Sequence, residues 1–436
     1  MEKINPRINE LNMFSGKESL KYMASNLDAN FYSVRQLFPT QEVVNYTLGR
    51  IPFGVSSDSS EIFTLNLNKS NHMYVLGATG DGKTWLMQSI ISRFFLAGGK
   101  VVVLTDIKGE YSAMSKPLQP EFHKFLLEKE KPQGLPIKVY RPYFMNKLTG
   151  INPKGAEICQ FTLDDINMYD FYTLLDMENI SDSRKLAIEI AFHKIRKGEI
   201  TNLSQLIKDF KECPEINSTT GKLLASRVKS MQDIGVLGDI YSGIDIIKDI
   251  NEGKIPIMNL EGFTKIGTHS NYVSTYVAIL IRKLLSAKME GKLKKNEHLC
   301  IVIDEAQKFC PNDGNPTSKV AIQSALDLFR SEKGTLIFCT QDYKRMPNTI
   351  LEQCKNVFIG HSITLSSLKE VVKQKASQEY ESPVTFGADM AQIKGMMRVR
   401  KNGNRDWLYI NSSSRRDLMD CLFLPIAPLN AHETEH

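Results

Sequence analysis

"GATGDGKT", residues Gly77 to Thr84, lies between an apolar run, "HMYVL" (72–76), and an apolar-rich stretch, "WLMQSIISRFFL" (85–96). A strand, a glycine-rich turn and the start of a helix form an anion site, because the turn and the helix end point backbone N–H groups at the ligand. The spacing fits G-x-x-x-x-G-K-[ST], in which the lysine reaches the outer phosphates and the hydroxyl holds Mg²⁺. The predicted nucleotide contacts are therefore Gly77, Ala78, Thr79, Gly80, Asp81, Gly82, Lys83, Thr84 and Trp85, with ATP and Mg²⁺ as ligands. Asp81 is the odd member. An acid about 6 Å from a phosphate, at an effective dielectric near 20, costs roughly 3 kcal/mol per charge pair before screening. Its side chain is expected to point outward, and either to tune nucleotide affinity or to meet a basic residue across a subunit boundary.

The next strand is "KVVVLTD" (100–106), so strand, helix, strand give a parallel βαβ unit. "TDIKGEY" (105–111) follows it. Asp106 and Glu110 either lie near the nucleotide or its water, or make a polar turn. Further on, "HLCIVID" (298–304) delivers Asp304 and then Glu305 at a strand end. Beside a phosphate loop, Asp304 is expected in the Mg²⁺ shell, and Glu305 is expected to activate the attacking water. Without such a loop, the pair would serve as a helix cap.

"TLIFCTQ" (335–341) places Gln341 at the C-terminal end of another strand, the end where open α/β sheets bind ligands. Gln341 is expected to orient water or sense the γ-phosphate. Arg330, 25 residues beyond Glu305, is a candidate arginine finger for a neighbouring subunit; the plainer alternative is a surface ion pair with Asp327. The expected catalytic set is Glu305, Lys83, Gln341 and Arg330, with Thr84 and Asp304 on the metal.

Basic residues cluster at 281–298, in "DYKRMP" (342–347) and in "RVRKNGNR" (398–405). Such clusters can track a phosphate backbone, although charge runs are often only solvated. Lys344 and Arg345 are the candidate DNA contacts, since they follow Gln341 directly and hydrolysis could move them.

Around these motifs the chain is ordinary in composition: 436 residues, 42% hydrophobic and 24% charged, with a net charge of +6. That mild basic bias permits a polyanionic partner without requiring one. The seven cysteines, Cys159, Cys213, Cys300, Cys310, Cys339, Cys354 and Cys421, form no C-x-x-C pair, which argues against a zinc site and suits a reducing cytosol. No run approaches the 18 or so apolar residues of a membrane-spanning helix, and "MEKINPRINELNMF" has no signal-peptide core. The expectation is a cytoplasmic protein without a transmembrane segment.

The predicted fold is α/β, a RecA-like P-loop NTPase core with a mainly parallel sheet. Its parts are an N-terminal extension (1–55, with a helix near "KESLKYMASNL"), core segments (56–159 and 251–415), a helical insertion (160–250) and a C-terminal tail (416–436). Three amphipathic stretches, "SDSRKLAIEIAFHKIRKG", "NLSQLIKDFKEC" and "STTGKLLASRVKSMQDI", make up most of the insertion. "MMRVRKNGNRDWLYIN" (396–411) is expected to be a hairpin turning at Asn402–Asn404.

The motif series "GATGDGKT", "DIKGEY", "IVIDEAQKF", "FRSEKG" and "CTQDYKRMPNTILEQCKN" resembles the HerA/FtsK superfamily of ATP-driven DNA motors, and HerA within it. The resemblance covers about residues 60 to 410. It implies a homo-hexameric ring that pumps double-stranded DNA through its channel, with each nucleotide at a subunit boundary. Lys83, Thr84, Asp304, Glu305, Arg330 and Gln341 would take the roles given above. The ATPases of conjugative type IV secretion share this core, so a nuclease or a membrane complex is the implied protein partner, and viral DNA packaging is a related alternative. The chain departs from the pattern in three places. Asp81 stands where the family usually has Ser. Arg330 lies between Phe329 and Ser331 rather than in G-R-K. The residues before the core are too few for the β-barrel usual in HerA proteins.

Overall fold

In the computed structural model, the described residues are 50–56, 61–67, 71–127, 130–175, 182–238, 244–293, 297–375, 383–399, 405–411 and 421–431. The helix expected near residues 17–27 and the turn expected at Asn402–Asn404 lie outside them. The chain divides into two compact units. The first comprises Met1–Gly99, Ala113–Leu135 and Gly334–His436; the second comprises Lys100–Ser112 and Pro136–Lys333.

The first unit begins with strands β1 (Ile51–Ser56), β2 (Ile62–Leu65) and β3 (Met73–Leu76) and the helix Lys83–Leu96. The second unit holds β4 (Lys100–Asp106), β5 (Ile137–Pro142), β6 (Glu157–Cys159), β7 (Ile255–Asn259) and β8 (Leu299–Ile303). The chain returns to the first unit with β9 (Gly334–Thr340), β10 (Asn356–Ile359), β11 (Trp407–Asn411) and β12 (Leu422–Pro425).

In the first unit β3 lies between β9 and β10 and is parallel to both, with Leu76 opposite Thr340 on one side and Ile359 on the other. All four of its residues are buried, as a strand covered on both faces requires. Outside β10 the pairing turns antiparallel, running β10–β11–β12–β1–β2. Thus Ile51–Ser56, which runs from the expected extension into the first residue of the expected core, and Leu422–Pro425, inside the expected tail, pair with each other as strands. Every residue of "IPFGVS" is buried and "LFLP" is buried in its first half, as suits strands paired on both sides.

Aromatic packing secures this antiparallel part. The Phe53 ring lies 4.8 Å from Tyr409, 5.1 Å from Phe358 and 5.1 Å from Phe423, centroid to centroid. Gly54 makes room for it: a Cβ there would fall 2.2 Å from the Phe423 ring. The β1–β2 register shifts between Pro52 and Gly54, a bulge at the same place.

In the second unit the strands run β8–β4–β7–β5–β6, all parallel. The helices Asp182–Arg196, Leu203–Glu212 and Ser218–Ile234 lie where amphipathic segments were expected. Asn202 and Asn217 cap the latter two, accepting from Gln205 N (3.0 Å) and Thr220 N (2.8 Å). The last of these helices stops at Gly235, whose φ of 83° needs a residue without a Cβ. Leu206, Phe210, Leu224 and Val228 are buried on their inner faces.

Between residues 396 and 411 the structure shows the end of a helix, Pro383–Met396, then an antiparallel bridge from Val399 to Arg405, then β11. Among the described residues no helix is long and apolar enough to cross a membrane. All seven cysteines are free and buried.

Candidate nucleotide site

In the first unit β3 runs straight into the phosphate loop. Gly77 N donates to Thr340 O (3.2 Å), which continues the β3–β9 ladder for one more residue. The chain then curls, with Asp81 N donating to Ala78 O (3.2 Å). Gly80 (φ 82°) and Gly82 (φ 85°) occupy the left-handed region that lets amides turn to one side of such a loop. Helix Lys83–Leu96 starts at Gly82, with no side-chain cap and no acid in its first turn. The positive end of the helix dipole therefore faces the loop, and no acid lies within the helix's own first turn. Lys83, only 9% exposed, folds back so that Nζ donates to Ala78 O (3.0 Å). Thr79 Oγ1 donates to Gln341 Oε1 (3.2 Å), so the loop and the glutamine after β9 meet. Trp85 packs edge-to-face on Phe122, 5.3 Å between centroids, against an apolar cluster of Leu118, Phe125, Leu126, Ala427 and Leu429.

Asp81 does not point outward. It is 3% exposed, and its carboxylate accepts from Ala78 N (2.8 Å), from Ser362 N (3.1 Å to Oδ1) and from Arg405 Nη1 (2.9 Å). The basic partner belongs to the same chain, so the expected pairing across a subunit boundary is replaced by an internal one. The reason is physical: three donors converge behind the loop, and a carboxylate satisfied by two amides and a guanidinium is more stable there than in a loop facing phosphates. Arg405 and Ser362 are partners of the loop acid that motif reading missed. A signal was available, since an acid in a phosphate loop calls for a cation and Arg405 closes the basic run at 398–405.

In the second unit, Asp106 and Asp304 end neighbouring strands, β4 and β8. Thr105 Oγ1 donates to Asp304 O (2.8 Å). Asp106 is 1% exposed and spends its oxygens on its own loop: Oδ1 accepts from Gly109 N (2.8 Å) and Glu110 N (3.1 Å), and Oδ2 from Tyr111 N (3.3 Å). Burial, and then the neighbouring Asp304 charge, push its carboxyl well above the usual range. Asp304 Oδ1 accepts from Glu305 N (2.8 Å), and Tyr111 OH reaches toward Oδ2 at 3.5 Å. Glu110 lies 3.5 Å from Lys108.

Glu305 has φ 48°, the single left-handed non-glycine residue among those described. That conformation costs an L-residue about 1–2 kcal/mol, and such strain persists where surrounding structure enforces it. Gln307 Nε2 donates to its carboxylate. Arg330 lies on the surface at the end of helix Thr317–Leu328, 3.9 Å from Asp327. Lys344 and Arg345 form a short 3-10 turn of the first unit, capped by Asp342, with Arg345 also 3.3 Å from that acid.

The first unit offers the Thr84 hydroxyl and the second the Asp304 carboxylate, and both are oxygen donors of the kind that hard cations such as Mg²⁺ prefer. Among the described residues no three acidic, His or Cys side chains converge as a metal cage.

These features can be set beside known proteins. A curated relative, "DNA double-strand break repair helicase HerA" of Sulfolobus acidocaldarius, is 23% identical over 351 residues, covering 75% of this chain and 62% of the relative. The chain thus spans about three-fifths of that protein's length. In fold, it resembles VirB4 of Thermoanaerobacter pseudethanolicus (TM-score 0.56, 12% identity, 91% of this chain and 99% of that one). It also resembles the bacterial conjugative coupling protein TrwB (TM-score 0.53, 13% identity, 92% and 96%). The profile of the family described as "Helicase HerA, central domain" matches residues 47–288, more than half of the chain, and the chain belongs to that family.

Proposed function

We propose that the protein is an ATP-driven DNA translocase that works as a homo-hexamer and pumps double-stranded DNA through its channel. The observation that carries the reading is the loop Gly77–Thr84, with left-handed glycines, an uncapped helix start and Lys83 held at its mouth. Membership of the HerA central-domain family supports it. In this account the loop amides and Lys83 bind the phosphates of ATP. Thr84 and Asp304 hold Mg²⁺, which supplies charge neutralisation for the transferred group. Glu305 takes a proton from the attacking water, Gln341 orients that water, and Arg330 acts on a neighbouring subunit's nucleotide. Lys344 and Arg345, after Gln341, contact the DNA backbone. The helical segment at 160–250 is an insertion in this motor.

The test is steady-state ATP hydrolysis with Mg²⁺ at low salt, with and without duplex DNA. The expected result is hydrolysis that rises on adding duplex and disappears in Lys83→Ala without loss of fold. Absence of any DNA effect would refute translocation. A second reading is a conjugative or type IV secretion ATPase, or a viral DNA-packaging ATPase. The likeness in fold to VirB4 and TrwB favours the secretion form. Co-purification with a membrane complex would select it.

A further inference from the structure

Asp81 sits in a site built for a carboxylate. Its side chain is fully covered, whereas that of Arg405 is 26% exposed. Behind it Gly360 leaves the room: a Cβ there would stand 2.7 Å from Asp81 Oδ2. Arg405 Nη1 bonds Asp81 Oδ1 (2.9 Å) and Ser362 Oγ (3.0 Å), so it ties the acid to the chain following β10. Its other terminal nitrogen faces the loop tip, 3.8 Å from where a Cβ on Gly80 would lie. Asp81 in turn holds Ala78 N (2.8 Å), the amide that sets the first bend of the loop. Lys394 is a second cation nearby, but its Nζ is used on the His361 carbonyl.

We infer that Arg405 is a positioning residue for nucleotide binding. It acts through Asp81, whose carboxylate it neutralises and fixes so that the loop amides keep the curl that receives phosphate. A buried carboxylate tolerates its place only while paired, and removing one partner is far worse than removing both. The consequence is a specific non-additivity. Arg405→Ala leaves a naked acid within the phosphate loop. Asp81→Ser removes the acid and with it the need for Arg405.

This rests on the reading of the loop as an ATP site, so two readouts on the full-length chain keep the claims apart. The first is affinity for a fluorescent ATP analogue with Mg²⁺, below the melting temperature of every variant. Arg405→Ala should bind at least tenfold more weakly than the unmodified protein, Arg405→Lys should recover part of the loss, and Asp81→Ser/Arg405→Ala should bind within threefold of Asp81→Ser. The second is hydrogen exchange of the loop amides at residues 78–82 without nucleotide. It should speed up in Arg405→Ala and return in the double variant to the Asp81→Ser rate. If Arg405→Ala does not fold, the double variant compared with Asp81→Ser carries both readouts. A double variant tenfold weaker than Asp81→Ser or faster than it in loop exchange, or an Arg405→Ala protein with the loop exchange of the unmodified chain, would overturn the inference. Failure of the unmodified chain to bind the analogue, with the exchange pattern as stated, would overturn the ATP reading alone.

Discussion

At the scale of single residues, the site depends on where charge is satisfied. Asp81 looked like a repulsive element in a phosphate loop; its carboxylate is instead consumed by Ala78, Ser362 and Arg405. Glu305 shows the complementary case, a carboxylate on a strained backbone at the end of a buried strand. That strain has a function if Glu305 must face an attacking water. Glu305→Gln is then expected to lower ATP turnover by about 10²–10⁴-fold, the usual contribution of a general base, while nucleotide affinity stays within a few-fold. Single-turnover hydrolysis beside equilibrium binding checks this, and equal losses in both would point to a folding defect. Lys83, Thr84, Asp304, Glu305 and Gln341 could be named as candidates from sequence because each sits at a fixed offset from a glycine turn or a strand end. Arg405 was not, because its partner is 324 residues away in sequence and only the fold joins them.

At the scale of elements, the parallel strands were legible and the antiparallel ones less so. Buried parallel strands read as continuous apolar runs such as "LCIVI", whereas β1 and β12 contain proline and pair with each other across most of the chain. Helix Thr317–Leu328 has only a modest apolar stripe behind Pro316, so its sequence announces it weakly. The described residues of the segment 113–135 include a short 3-10 helix, Pro120–Phe125, and are held by specific contacts. Leu429 O accepts from Leu118 N (3.2 Å) and Gln133 N (2.8 Å). Arg93, fully buried in helix Lys83–Leu96, forms a two-point ion pair with Glu130 (2.9 and 2.7 Å) and also donates to Ser89 and Ala427 O. Glu130→Ala would strand that guanidinium, and breaking a buried pair in this way costs about 3–5 kcal/mol. Urea denaturation should show a loss of unfolding free energy of that size, the product of the midpoint shift and the slope. A loss under about 1 kcal/mol, the scale of surface pairs, would mean the pair is hydrated.

At the scale of the whole molecule, the account requires more than one copy. Arg330 lies on the surface with 65% of its side chain exposed and makes the plainer of its two expected contacts, an ion pair with Asp327 at 3.9 Å, whose exposure makes it worth little to stability. If it serves a neighbour's nucleotide, Arg330→Ala should bind ATP normally but hydrolyse it about 10³-fold more slowly or worse. Mixing it with Lys83→Ala subunits should then restore activity, because some boundaries regain one intact loop and one intact arginine. A mixture no more active than its parts would place Arg330 outside the chemistry. The most direct measurement of the central claim is displacement of a triplex-forming oligonucleotide from a linear duplex. With ATP and Mg²⁺ the unmodified protein should strip the third strand, and Glu305→Gln should bind the same duplex without stripping it. Hydrolysis stimulated by DNA but with no displacement, at any protein excess, would contradict translocation along double-stranded DNA.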